Sequence, residues 1–294
     1  AIRSIREFSP DIIHAHILTR AGYVALKAGR EHHCPVVISE HWSRYFMENN
    51  TFKGLHLKLI TRFVVAKAAA MVAVSKPLRD AMMRCNLSNK VFRIIPNVVD
   101  TSLFYPQQHR ISNPVKIFVH ISCFDDKSKN ISGFLRSVKA LSEKRQDFRC
   151  LLIGNGPDWY DMKDYAGFLR IPEGLVEFPG VLNGTELSDV LRNADFSALS
   201  SLYETFGTVV IESLASGVPV VSTSVGISLE VITEDNGLLV PPGDESAMTR
   251  ALDRALNNFH KFDRQKICAG IAGKFDKETI GIQLTDLYRE VLSR

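Results

Sequence analysis

Two doubly wound α/β domains in series is the fold class the sequence predicts, and three observations predict it. Short apolar, β-branched runs alternate with longer helical patterns along almost the whole chain, the rhythm of crossover connections and a parallel sheet. The rhythm lapses once, over residues 98–115. The length, 294 residues, exceeds one ordinary core and suits two domains of roughly 100–200 residues each.

The elements follow in order. "PDIIHAH" (10–16) reads as a strand and "TRAGYVALKAGREHH" as a helix. "PVVISEH" (35–41) is the next strand, "HLKLITRFVVAKAAA" (56–70) a helix, and "MVAVS" (71–75) a strand. "KPLRDAMMRC" is helical and "VFRIIPN" (91–97) is a strand. Then "VVDTSLFYPQQHRISNPV" carries no period, two prolines and mostly polar residues, and reads as a linker. "VKIFVHIS" (115–122) restarts the alternation, followed by the helix "NISGFLRSVKALSEKR" and the strand "FRCLLIG" (148–154). "LVEFPG" (175–180) is a short strand, "TELSDVLRNA" a helix and "DFSALS" (195–200) a strand. A helix over about 206–216, the strand "VPVVST", the strand and turn "NGLLVPPGD" (236–244) and three closing helices complete the second domain. The division is therefore 1–100 as a first domain, 101–114 as linker, 115–276 as second domain, and 277–294 as a C-terminal helix with the option of crossing back to the first.

Composition narrows the function. Apolar residues at 45% and charged residues at 23% describe a globular chain. No apolar run reaches the ~18–20 residues of a membrane span, and no leader pattern opens the sequence. Five scattered cysteines without a C-x-x-C pair argue for reduced thiols in a cytosolic compartment. A net charge of +4 permits an anionic ligand or an acidic membrane surface and gives no reason to expect nucleic acid.

The chemistry concentrates in "DFSALSSLYETFGTVVIESLA" (195–215), a strand–loop–helix junction of the kind where doubly wound sheets bind ligands. Glu204 lies in the loop, and Phe206 and Gly207 open the helix. The amides of Gly207, Thr208 and Val209 stand at the positive end of the helix dipole, suited to a phosphate. Glu212 falls one to two turns on. In a continuous helix the two glutamates would lie about 80° apart, so they converge only because Glu204 is in the loop. One carboxylate then suits a sugar's hydroxyls and the other a ribose diol. His14 and His16 of "HAH" suggest a metal site at first sight. With no third ligand near in the sequence and no D-x-D, they read as structural, and no metal is expected.

"ETFGTVVIESLASGVPVVST" resembles the signature of retaining nucleotide-sugar glycosyltransferases of family 4, which have the GT-B fold. "PDIIHAH", "PVVISEH", "AVSKPL", "IIPNVVDTSLF", "LLIGNGP", "VEFPGVL", "ELSDVLRNADF" and "NGLLVPPGD" resemble further blocks of that family, in order and over nearly the whole chain. The resemblance implies that Glu204 contacts the donor sugar, Glu212 the nucleotide ribose, and the amides near Gly207 the diphosphate. It matches Lys129 of "FDDKSKN" to the family lysine that offsets charge on the leaving diphosphate, with Asn130 in place of a glycine and Lys127 left open. It matches His41 to a histidine facing the reacting carbon. It implies a hexosyltransferase-type transfer from a nucleotide-diphosphate sugar to a glycan or lipid-linked acceptor hydroxyl, with no cofactor, at the cytoplasmic face of a membrane. A sugar-nucleotide epimerase of similar fold and a non-catalytic nucleotide-sugar-binding subunit are the alternatives, separable by product analysis.

Three features depart from the family. The arginine usual around Cys123 is missing, "PNVVD" lacks the family's glycine, and the first domain is short. The chain begins with "AIRSIREFSP" directly ahead of the first matching block. The expectation is a truncated first domain with Ile12 and Ile13 on a bare sheet edge, a second domain that binds nucleotide, and poor transfer.

Overall fold

In the computed structural model, residues 9–107 and 115–294 are described. They form two compact units, one of residues 9–98 with 277–294 and the other of the described residues between 99 and 276.

The first unit is built on a four-stranded parallel sheet, order β1-β2-β3-β4. Its elements are β1 (Ile13–His16), α1 (Tyr23–His32), β2 (Val36–Glu40), α2 (Leu55–Lys67), β3 (Ala70–Ala73), α3 (Lys76–Arg84) and β4 (Phe92–Ile94). Every residue of β2 and β3 is buried, as a parallel strand covered on both faces requires. Strands added in one direction, with right-handed crossovers, put α1, α2 and α3 on one face. Ile38 points to that face, where its side chain meets the Cα of Gly22 just ahead of α1. Ser75 starts α3 by accepting the amide of Leu78 at 3.2 Å, with Pro77 in the first turn. The segment expected to be helical from 19 begins instead as a π-turn, Leu18–Gly22.

The second unit has a six-stranded parallel sheet, order β10-β9-β8-β5-β6-β7. Its strands are β5 (Lys116–Ile121), β6 (Phe148–Ile153), β7 (Val176–Gly180), β8 (Phe196–Leu199), β9 (Val220–Thr223) and β10 (Gly237–Val240). Between them run α4 (Asp126–Lys129), α5 (Ile131–Ser142), α6 (Trp159–Phe168), α7 (Gly184–Asn193), α8 (Thr208–Ala215) and α9 (Ser228–Val231). The helices α10 (Glu245–Asn258) and α11 (Arg264–Ile271) follow. Fully buried Phe118, Phe134, Phe148 and Phe196 centre the core, with the Phe118 and Phe196 rings stacked at 4.8 Å. The chain builds outward from β5 through β6 to β7, then returns to the other side of β5 with β8. The loops after β5 and β8 therefore leave the sheet side by side in opposite directions, which makes a topological switch point.

Residues expected to be linker divide differently. Val99 and Phe104 are buried, Val99 donating its amide to Phe275 O at 2.8 Å within the second unit. Residues 108–114 of that linker lie outside the described residues. After α11 the chain returns to the first unit as α12 (Lys277–Leu292). Its Ile280, Leu287 and Val291 pack with Val37, Val72 and Val91, on the sheet face opposite Ile38.

Candidate functional site

The switch point of the second unit brings Lys129 and Glu204 together, two residues 75 positions apart. The Lys129 ammonium pairs with Glu204 Oε1, and each side chain is only about one-sixth exposed. Ser201 Oγ donates to the same carboxylate oxygen at 2.9 Å. The main chain is tied as firmly. Ser200 Oγ donates to Lys129 O at 2.7 Å, and Leu202 N to Ser128 O at 2.8 Å.

Beneath this pair lies His120, near the end of β5 and fully buried. Its Nε2 is 3.0 Å from Ser200 Oγ. The Ser200 proton is committed to Lys129 O, so His120 must donate through Nε2. Its Nδ1 has no hydrogen-bond partner among the described residues. Burial, and secondarily the Lys129 charge, hold His120 down at about 3, so the ring is neutral. Neither His120 nor Ser200 stands out in the sequence.

The stretch "FDDKSKN" is not an open polar loop. It forms the short helix α4, and Asn130 follows in the left-handed region at φ 51°. Its acidic residues hold the turn. Asp126 Oδ1 accepts Ser132 N, Asp158 Oδ2 accepts Asp126 N, and Asp125 Oδ2 accepts Ser128 Oγ, each at 2.7 Å. Lys129 is thus carried at the end of a braced turn.

Gly207 precedes α8 with φ 91°, a conformation that costs a residue with Cβ, and no side chain caps the helix. The first-turn amides, those of Thr208 and Val209, have no acceptor inside the helix. The Phe206 side chain turns inward from the loop. It is 1% exposed and packs edge-on to Phe275 at 6.1 Å, so it anchors the loop from below. Its carbonyl accepts Ile227 N at 2.7 Å. Gly226 makes that approach: a Cβ there would sit 2.5 Å from Phe206 O and 2.7 Å from Glu204 Cβ.

Glu212 lies on α8, mostly buried, and its carboxylate receives no hydrogen bond among the described residues. Burial alone pushes it up to about 6. An under-bonded carboxylate beside a helix N-terminus is an acceptor waiting for hydroxyl donors.

His41 stands in a cluster of the first unit. His16 Nδ1 and His41 Nε2 share a hydrogen bond at 3.0 Å, and the rings of His14, His16 and His41 stack in sequence. His14 bonds Ser39 Oγ at 2.8 Å and Tyr288 Oη of α12 at 2.6 Å. Burial and the neighbouring rings lower His14 to about 4 and also depress His41. The third imidazole that the sequence did not reveal is present. Yet the rings stack instead of converging on a point, and among the described residues no group is arranged to hold a metal. His16, read as structural, is exposed and partners His41. Glu40 is the residue sequence reasoning missed here. Fully buried, it accepts the amides of Leu18, His41 and Trp42 and the Tyr45 hydroxyl at 2.8–3.1 Å, fixing the loop that carries His41.

Two parallel-sheet α/β units, the second doubly wound with a lysine–carboxylate pair at its switch point, define a two-domain α/β protein of GT-B fold. Residues 102–268 match the family model Glycosyl transferases group 1, and residues 1–103 match Glycosyltransferase Family 4. The chain belongs to the group 1 glycosyl transferases, and the resemblance to GT-B glycosyltransferases and the fold class of two parallel-sheet α/β domains read from the sequence are borne out. Among solved structures, sucrose-phosphate synthase from Thermosynechococcus elongatus superposes with a TM-score of 0.84 at 22% identity. That match covers 99% of this chain and 76% of the other. Anabaena Alr3699/HepE in complex with UDP and glucose gives 0.83 at 18% identity, covering 98% and 80%. Among curated relatives, N-acetyl-alpha-D-glucosaminyl L-malate synthase of Bacillus anthracis is 28% identical, over 80% of this chain and 63% of its own. Phosphatidyl-myo-inositol mannosyltransferase of Mycobacterium leprae is 28% identical over 96% and 74%. Sulfoquinovosyl transferase SQD2 of Arabidopsis thaliana is 29% identical over 85% and 50%. The chain spans about half the length of several curated relatives it matches.

Proposed function

We propose that this chain belongs to a retaining, metal-independent glycosyltransferase that moves a sugar from a nucleotide-diphosphate sugar to an acceptor hydroxyl in polysaccharide, lipopolysaccharide or glycolipid synthesis. The observation that carries the reading is the Lys129–Glu204 pair at the switch point, beside the uncapped start of α8. The diphosphate lies against the Thr208 and Val209 amides, where dipole and free N–H groups favour negative charge. It draws Lys129 from Glu204, and the ammonium then offsets the charge that grows on the leaving group. Glu204, released, accepts hydroxyls of the donor sugar. Glu212 accepts the ribose diol. The departing diphosphate takes the acceptor's proton, so the protein supplies positioning and charge instead of a dedicated base. On the first unit His41, held by His16, is assigned to orienting the sugar. HepE, solved with UDP and with UDP-glucose, supports a nucleotide-sugar donor by fold analogy. A relative named as a phosphatidyl-myo-inositol mannosyltransferase supports a lipid-linked acceptor.

Calorimetry against a panel of nucleoside diphosphates and their sugars tests the reading. Glu212→Ala weakens both free nucleotide and sugar nucleotide by ~1.5–3 kcal/mol, the range for bonds to a charged group. Glu204→Ala spares the nucleotide and weakens only the sugar nucleotide. Equal losses on both ligands from both variants would remove this division of roles.

A further inference from the structure

From the outer face of α2 we infer a docking surface for an anionic lipid bilayer. The helix is apolar on two sides. Thr61, Val64 and Val65 face the unit's interior, where Val64 packs at Gly22. Leu55, Leu59 and Phe63, one turn apart on the outer side, are 69%, 52% and 53% exposed, with Ile60 beside them at 47%. A surface helix ordinarily turns polar residues outward, and a contiguous exposed apolar stripe marks something that covers it.

Charge identifies the cover. Residues 49–79 contain six Lys and Arg and no Asp or Glu. Lys53, His56 and Lys67 are exposed around the stripe. Over residues 9–98 there are thirteen Lys and Arg against five Asp and Glu, whereas residues 99–276 hold eighteen against twenty-three. The mild +4 of the whole chain therefore conceals a basic first unit. A second copy of this face would set like charge against like, while an anionic bilayer complements it. The helix of 13 residues is about 20 Å long, too short to span the ~30 Å hydrocarbon core. It suits lying in the interface, with Leu and Phe in the acyl boundary and Lys among the headgroups. Tyr23 and Val24, which open α1 next to Gly22, are also exposed and extend the apolar area.

The inference deepens the proposed function by naming the surface that meets a lipid-linked acceptor, and it rests on that reading. Vesicle flotation with phosphatidylcholine alone and with phosphatidylcholine plus phosphatidylglycerol tests it on the whole chain. Binding to the anionic vesicles is at least tenfold tighter and falls steeply with salt. Leu59→Glu with Phe63→Glu, both exposed and so neutral to folding by circular dichroism, lowers it about tenfold or more. Lys53→Gln and Lys67→Gln each lower it roughly fivefold, the scale of one basic residue near such a surface. Nucleotide-sugar affinity is unchanged in all three variants. Equal binding to neutral vesicles, no vesicle binding, or a monomer–dimer shift of the wild type abolished by Phe63→Glu would overturn the docking surface while leaving the donor site standing. Vesicle binding without nucleotide-sugar binding would instead overturn the proposed function.

Discussion

Glu212 ties ligand binding to pH. Its folded value of about 6 lies above the ordinary 4.5, so the neutral form is favoured in the ligand-free protein. The stability this confers is complete below 4.5 and is lost as pH rises through 6. A diol donating two hydrogen bonds prefers the ionised form, so nucleotide binding expels a proton below pH 6. Affinity at pH 5 is about tenfold weaker than at pH 7. Calorimetry in buffers of different ionisation enthalpy measures the proton, and Glu212→Gln abolishes it. An unchanged proton release in that variant would refute the assignment. Lys129→Met leaves Glu204 with Ser201 alone, costs about 1–2 kcal/mol of stability and weakens the sugar nucleotide more than tenfold. EDTA leaves binding intact, and a strict Mg²⁺ or Mn²⁺ requirement would show that the site has been misread. Glu204 and Glu212 could be singled out because they stand in recognisable strand–loop–helix text, and Lys129 because "FDDKSKN" takes the place of a family block. His120 and Glu40 could not. Each is a polar residue near the end of a largely apolar strand, and its meaning comes from a partner or loop that only the fold brings near: Ser200 is 80 positions from His120.

β3 was readable as an unbroken apolar run and β2 from the apolar run that opens it, since both faces of each are covered. The short α4 was not readable. Four polar residues carry no period, and carboxylates from Asp125, Asp126 and Asp158 brace it by bonds that no local pattern encodes. The π-turn ahead of α1 escaped for the same reason, because its residues continue the helical pattern while the backbone does not. The joint between the loop after β9 and the loop carrying Glu204 gives the test at this scale. Gly226→Ala places a methyl against Phe206 O at φ 55°, breaking the Ile227 bond. The expected cost is about 1–3 kcal/mol by denaturant unfolding, with weaker sugar-nucleotide binding. A variant as stable and as tight as wild type would show that this joint does not position Glu204.

Each unit carries a histidine that resists protonation, the half-buried His14 at about 4 and the buried His120 at about 3, against an ordinary 6.5. Their lowered values mean that the unfolded chain takes up more protons over this range, so stability falls as pH drops from 6.5 towards 4 and 3. Thermal melts from pH 7 to 5 are expected to decline, less steeply in His120→Phe than in wild type. Identical slopes would exclude a neutral buried His120 as a contributor. The return of α12 to the first unit also has a consequence for the order of events during synthesis. Residues 99–276 are contiguous and can fold as they leave the ribosome, whereas the first unit must hold Val37, Val72 and Val91 uncovered until residues 277–292 arrive. Of these two units, the one whose strands emerge earlier is therefore finished later. During that interval an apolar sheet face stays open to chaperones or to a wrong partner, and a chain stopped at 276 keeps the melting transition of its second unit while losing that of its first.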